Sequence, residues 1–334
     1  MMQYSNNQIS NKMHTNAITA RFIIGIESTE LTTHDINRLQ NKHVVGVILF
    51  SRNFITSDQL KKLTTAIKSC RNDLIICVDQ EGGRVQRFKS DQFTPLPSLY
   101  ELAKTNDKTQ LKQHAATLAN ELKHHGINFS FTPVVDLYYQ DSRVINTRAF
   151  AENTDDVIHY AKQYIDTMHQ YNLPSVLKHF PGHGSLAADS HTESVIDHRI
   201  LSDIEQTDLL PFTTLINENK ADSIMVAHLS YPQIDTEIAS QSKFWLTTYL
   251  RQKIGFKGII FSDDFGMAAA TQTAKHPLEN CQRFFGAGGD IALLCNEFSV
   301  MNEILDVFSN TCYQHDNAFN DRWQCFQHFF DNGL

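Results

Sequence analysis

Between Lys178 and His191 the chain reads KHFPGHGSLAADSH. Pro181, Gly182 and Gly184 exclude a helix and supply special backbone angles, so the stretch is a long, shaped loop. Asp189 and His191 stand two residues apart, where an extended backbone sends both side chains to one side. A carboxylate beside an imidazole fixes its tautomer and stabilises its protonated form, which a general acid/base histidine requires. A loop histidine with a solvated neighbour would show the same spacing. A second candidate is the adjacent pair Asp263 and Asp264 in GIIFSDDFGM, directly after an apolar run. Successive side chains of an extended segment point opposite ways, so one carboxylate faces a ligand and the other is left to cap the next helix. The ligand-facing group could act as nucleophile, general base or metal ligand.

Two further segments carry fixed hydrogen-bond donors. In VDQEGGRVQRF, Gly82 and Gly83 predict a tight turn, and Arg84 and Arg87 could both reach a ligand. The segment has neither GxGxxG nor GK[ST], so it is no phosphate loop. Arginine beside Asp79 suits a polyhydroxylated ligand, because fixed donors and acceptors can fork onto vicinal hydroxyls. Structural salt bridges account for the same residues equally well. VINTRAF, with Arg148, repeats the theme, whereas His124 and His125 lie at a helix end and favour its C-terminal dipole.

Residues so far apart in sequence meet only on a scaffold that gathers strand ends. Eight short β-branched runs are expected as strands: 22–26 (FIIGI), 45–50 (VGVILF), 74–79 (LIICVD), 129–136 (FSFTPVVD), 175–180 (SVLKHF), 223–229 (SIMVAHL), 258–263 (GIIFSD) and 290–295 (DIALLC). Amphipathic stretches lie between them. SDQLKKLTTAIKSC opens at a candidate N-cap, Ser57, and QLKQHAATLANELKHHG closes at Gly126. Continuous apolar strands alternating with helices predict a parallel sheet covered on both faces, and the number eight predicts a closed α/β (β/α)8 TIM barrel. Asp79, Asp136, Lys178 with His179, His228 and Asp263 end five of the runs on their C-terminal side. That rim is where such barrels build active sites. Residues 1–19 read as a flexible N-terminal arm and 20–334 as one catalytic domain, with the aromatic tail around Trp323 packing onto the barrel as a terminal helix.

Composition excludes several classes. At 41% hydrophobic and 20% charged residues the chain is an ordinary globular one. Its net charge of -8 and scattered basic residues argue against a nucleic-acid partner. Six cysteines without metal spacing predict free thiols in a reducing compartment. The polar N-terminus lacks an apolar core and no run suits a membrane span, so a cytoplasmic protein without membrane partners is expected.

Taken in order from about Ile24, GVILFSRN, VDQEGGRVQRF, NTRAF, KHFPGHG with a downstream DSH, HLSYPQID, GFKGIIFSDD and GAGGDIALLCN resemble the single-domain bacterial β-N-acetylhexosaminidases of glycoside hydrolase family 3. The resemblance implies a TIM barrel with no metal or organic cofactor. It implies Asp263 as nucleophile, His191 as general acid/base with Asp189 as its partner, and Asp79, Arg87, Arg148, Lys178 and His179 as sugar-binding residues. It also implies a GlcNAc-containing muropeptide substrate from cytoplasmic cell-wall recycling; a monomer is expected. Two segments depart from the family pattern. TEIASQS follows YPQID, and FGMAAATQTAKHPL follows the carboxylate pair; both bear on the shape of the aglycone side. Three alternatives remain open: a substrate-assisted hexosaminidase using both Asp263 and Asp264, a metal-dependent hydrolase using His179, His183, His191 and His228, and a sugar-binding protein without turnover.

Overall fold

The computed structural model describes residues 20–183, 195–272, 276–310 and 317–331. Asp189, His191, Cys312 and the expected N-terminal arm lie outside the described residues. Eight parallel strands form one sheet: β1 (Phe22–Gly25), β2 (Val44–Leu49), β3 (Ile75–Val78), β4 (Phe129–Ser130), β5 (Val176–Phe180), β6 (Ser223–Val226), β7 (Ile259–Asp264) and β8 (Ile291–Leu294). Their hydrogen-bonded order is β4-β3-β2-β1-β8-β7-β6-β5. A parallel bridge between Val134 and Lys178 joins the two ends. It is flanked by bonds from Val176 N–H to the Thr132 carbonyl (2.8 Å) and from Val135 N–H to the Lys178 carbonyl (3.0 Å). The sheet is therefore a closed (β/α)8 barrel, as the alternating pattern predicts.

Short of their C-terminal ends the strands are largely apolar, because helices cover one face and the barrel interior the other. FIIG, IICV, SIMV and IALL are buried along their whole lengths. One expected strand is much shorter than predicted. Regular pairing in 129–136 stops at Ser130, because Pro133 has no N–H for the ladder. The pattern resumes only at the Val134 bridge, which still brings Asp136 to the rim.

The helix Ser57–Cys70 is capped by Thr56, not by the expected Ser57: the Thr56 hydroxyl accepts from Gln59 N–H (3.2 Å). Thr56 is the last extended residue, while Ser57 already lies in the first turn and donates its N–H to Asp91 (2.6 Å). Lys108–His124 ends as predicted, with Gly126 in the left-handed region and His125 Nδ1 against the Glu121 carbonyl (2.6 Å). The C-terminal helix Asn317–Asp331 closes the barrel floor. Phe129 and Phe261 sit on strands that are not neighbours, yet their rings are 5.9 Å apart, so both point inward. Phe326, 2% exposed, packs edge-on against both. Cys70, Cys77, Cys281, Cys295 and Cys325 are free thiols. Among the described residues no helix is long and apolar enough to cross a membrane.

Candidate active site

A cavity of about 220 Å³ opens at the C-terminal rim of the barrel. Asp79, Arg87, Arg148, Lys178, His179 and Asp263 all line it, so these six sequence-predicted residues meet in one place. Arg84, Arg143 and His183 form further parts of its wall. Of the remaining strand-end residues, Asp136 and His228 stand behind the wall rather than in it.

The arginine-bearing segment reaches the cavity because the chain reverses directly after β3. Gln80–Gly82 pairs antiparallel with Val85–Gln86. Gly82 and Gly83 both have positive φ, 102° and 56°, and a Cβ on Gly82 would run into the Pro97 carbonyl. Glycine is therefore required where the turn is tightest. The reversal carries Arg87 back over the rim, where Nη2 lies 3.4 Å from Asp79 Oδ2.

The turn also places a residue that sequence reasoning missed. Glu81, two positions after Asp79, is the anion on which Arg148 and Lys178 converge. Its carboxylate accepts from Arg148 Nε and Nη2, both at 2.8 Å, and faces Lys178 Nζ at 2.6 Å. Lys178 Nζ also donates to Asp79 Oδ1 (2.9 Å). Asp79 keeps 21% of its side-chain surface whereas Glu81 keeps 2%, so Asp79 meets the ligand space and Glu81 lies behind it. The signal for Glu81 was its i+2 spacing from Asp79, which puts both carboxylates on one side of an extended segment.

Burial alone would raise both acids, but neighbouring cations outweigh it. Lys178 and Arg87 hold Asp79 well below the ordinary carboxylate range. Arg148 and Lys178 bring Glu81 down to about 2. Burial would likewise lower the Arg148 guanidinium, yet its pairing with Glu81 raises it. These groups are therefore ionised and mutually fixed at neutral pH.

His179 is held from two sides. Its Nδ1 is 2.7 Å and its backbone N–H 3.0 Å from Asp136 Oδ2, while Nε2 lies 3.3 Å from Arg148 Nη2. Facing a carboxylate, Nδ1 carries a hydrogen; facing a guanidinium donor, Nε2 accepts. Asp136 also accepts the His183 N–H (2.8 Å), which ties the residues just after β5 to the barrel. Burial opposes ionisation of Asp136, but His179 and these donors keep its pKa below the usual value. Burial depresses His183 to about 4.

Asp263 and Asp264 diverge as strand alternation requires. Asp263 faces the cavity, while Asp264 turns toward β8 and accepts from Cys295 N–H (3.0 Å) and Gly266 N–H (3.1 Å). It holds a turn where a helix cap was expected. The cavity thus combines a carboxylate on one strand end with fixed donors and acceptors from β5, the hairpin after β3 and the turn that carries Arg148. Such an arrangement can grip vicinal hydroxyls and attack a carbon held among them. Among the described residues no group of three or more His, Cys, Asp or Glu side chains could hold a metal ion.

Comparison with known proteins agrees with this geometry. The model of the glycosyl hydrolase family 3 N-terminal domain matches residues 20–322. A β-hexosaminidase of Hydrogenovibrio crunogenus is 44% identical over 290 residues, covering 85% of this chain and 80% of that protein. One from Haemophilus influenzae is 40% identical over 289 residues, covering 85% and 82%. The crystal structure of NagZ from Neisseria gonorrhoeae in complex with N-trifluoroacetyl-D-glucosamine superposes with a TM-score of 0.84 at 37% identity, covering 95% of this chain and 91% of that one. The chain belongs to glycosyl hydrolase family 3, in its β-hexosaminidase branch, and is a glycoside hydrolase.

Proposed function

We propose that this hydrolase is a retaining exo-β-N-acetylglucosaminidase that removes terminal GlcNAc from muropeptides by covalent double displacement. The observation that carries this reading is the shared cavity in which Asp263 stands among Asp79, Arg87, Arg148, Lys178 and His179. The bound N-trifluoroacetyl-D-glucosamine of the Neisseria relative supports an N-acyl sugar as ligand.

In this reading Asp79, Arg87, Arg148, Lys178 and His179 bind the sugar hydroxyls and set the anomeric carbon over Asp263. Protonated His191 donates to the glycosidic oxygen as an Asp263 carboxylate oxygen forms the bond to the anomeric carbon and the aglycone departs. Neutral His191 then takes a proton from water, which attacks that carbon and returns Asp263 as a carboxylate. Asp189 orients the imidazole. An imidazole exchanges protons near neutrality with little tuning, and as a base it adds no second anion beside Asp263. The roles of His191 and Asp189 rest on the DSH motif. We further infer a monomeric cytoplasmic enzyme of peptidoglycan recycling, with residues 20–334 as its one catalytic domain and 1–19 as an arm.

The test is an assay of purified protein on GlcNAc-, glucose- and MurNAc-linked chromogens, with the anomer of the first-formed product read by NMR. The reading expects turnover of the GlcNAc substrate with β-product. An α-product, or preference for glucose, contradicts it.

A further inference from the structure

Asp263 lies in an irregularity of β7. Phe261 is in register with Ile291 of β8, yet Asp264 is in register with Leu293. Three steps along β7 match two along β8, so one extra residue bulges between Phe261 and Asp264. Ser262 fits the defect, its hydroxyl accepting the Leu293 N–H (3.0 Å). Bulges re-aim side chains and recur beside active sites.

The far side of this bulge is gripped from both neighbouring strands. The Asp264 N–H donates to Asp263 Oδ1 (2.8 Å), so the Asp264 peptide touches the reactive carboxylate directly. The other polar groups of Asp264 are held elsewhere. Its side chain takes the Cys295 and Gly266 N–H groups, and Asn296 Nδ2 lies 3.4 Å from Oδ2. Its carbonyl faces Nε2 of His228, 3.1 Å away, just beyond β6. A carbonyl only accepts, so that nitrogen carries the hydrogen. The opposite nitrogen, Nδ1, lies 2.7 Å from the Ser240 hydroxyl, which fixes the ring. His228 is 1% exposed and outside the cavity wall, so it has no path to a ligand.

We propose that His228 and Asp264 are positioning residues that clamp the β7 bulge and so aim the Asp263 carboxylate at the sugar. This deepens the preceding reading and rests on Asp263 being the nucleophile. The clamp also has an electrostatic side. Burial, with Glu297 nearby, raises the Asp264 carboxyl above its ordinary range, which limits the negative charge beside Asp263.

Substitution at His228 separates aiming from mere stability. His228→Gln keeps an N–H near the Nε2 position, whereas His228→Leu has none and His228→Asn is too short to reach the Asp264 carbonyl. Each variant is checked by circular dichroism, by inhibition with free GlcNAc, and by the rate at which a fluorinated GlcNAc donor labels Asp263. A misaim on the ångström scale costs about 100-fold in rate. The clamp therefore expects His228→Leu to lose about 100-fold in kcat and in labelling rate. Its GlcNAc inhibition constant should stay within about twofold, and His228→Gln should recover most of the rate. If the leucine variant does not fold, the same contrast is expected between His228→Asn and His228→Gln. Labelling of the leucine or asparagine variant at the wild-type rate, or a glutamine variant as slow as they are, overturns the clamp. Wild-type protein that never labels at Asp263 overturns the nucleophile assignment instead.

Discussion

Replacing Glu81 by glutamine tests how the cavity holds its cations. The carboxylate takes two hydrogen bonds from Arg148 and one contact from Lys178, all at 2.6–2.8 Å and almost fully shielded. An amide presents one acceptor and one donor, so an N–H group is turned toward a cation: Arg148 loses the carboxylate it forks onto, and Lys178 keeps only Asp79. Breaking a buried pair this way costs about 3–5 kcal/mol. Linkage gives a similar size. Lowering a glutamate from 4.5 to about 2 contributes about 3 kcal/mol at neutral pH. At ~2.1 cal/mol/K per residue, 334 residues carry ~0.7 kcal/mol/K of unfolding entropy, so Tm should fall by ~4–7 °C. The folded pKa is depressed, so the contribution is present above ~4.5 and is lost as pH falls toward about 2. The Tm gap between wild type and Glu81→Gln should therefore be full at pH 7 and narrow below ~4.5. Calorimetry across pH reads this, and p-nitrophenyl GlcNAc kinetics should show a raised KM as Arg148 and Lys178 lose their positions. A Tm within ~1 °C of wild type at pH 7, or a gap that widens on acidification, would mean that Glu81 does not hold these cations in the folded state.

Other substitutions report on separate parts. Arg148→Lys keeps charge but loses the fork onto Glu81 and the contact with His179; one lost charged bond of ~2 kcal/mol predicts a ~30-fold drop in kcat/KM. His191→Ala should cost ~10²–10⁴-fold on a leaving group that needs protonation and much less on an activated phenol, read from a leaving-group series; equal losses count against an acid role. Phe326→Ala removes the ring packed on Phe129 and Phe261, so stability should fall by about 3–5 kcal/mol in denaturant titration while kcat of the folded protein stays put.

The barrel was legible because burial on both faces turns its strands into unbroken apolar runs, and because charges that interrupt them collect at one end. That ground picked out Asp79, Lys178, His179 and Asp263, which reach one cavity, together with Asp136 and His228, which do not line it. Periodicity failed where one residue's hydrogen bonding decided the outcome, as with Pro133, which cuts β4 short, and Thr56, which takes the cap from Ser57. Glu81 and Asp136 were harder to rank, since their partners, Arg148 and His179, lie 67 and 43 positions away. Strand alternation separated Asp263 from Asp264, but the bulge that aims Asp263 depends on register with β8, which no single segment encodes. The Asp189 and His191 pair was readable only as a motif and lies outside the described residues.

In the proposed mechanism a sugar becomes bonded to one strand-end carboxylate. Incubating wild-type protein with a fluorinated GlcNAc donor, digesting it and sequencing the labelled peptide by mass spectrometry reads that bond directly. One added sugar is expected on the peptide containing FSDDF, at Asp263. Turnover of ordinary substrate with no adduct, as an acetamido-assisted route would give, or a label on any other residue, would contradict it.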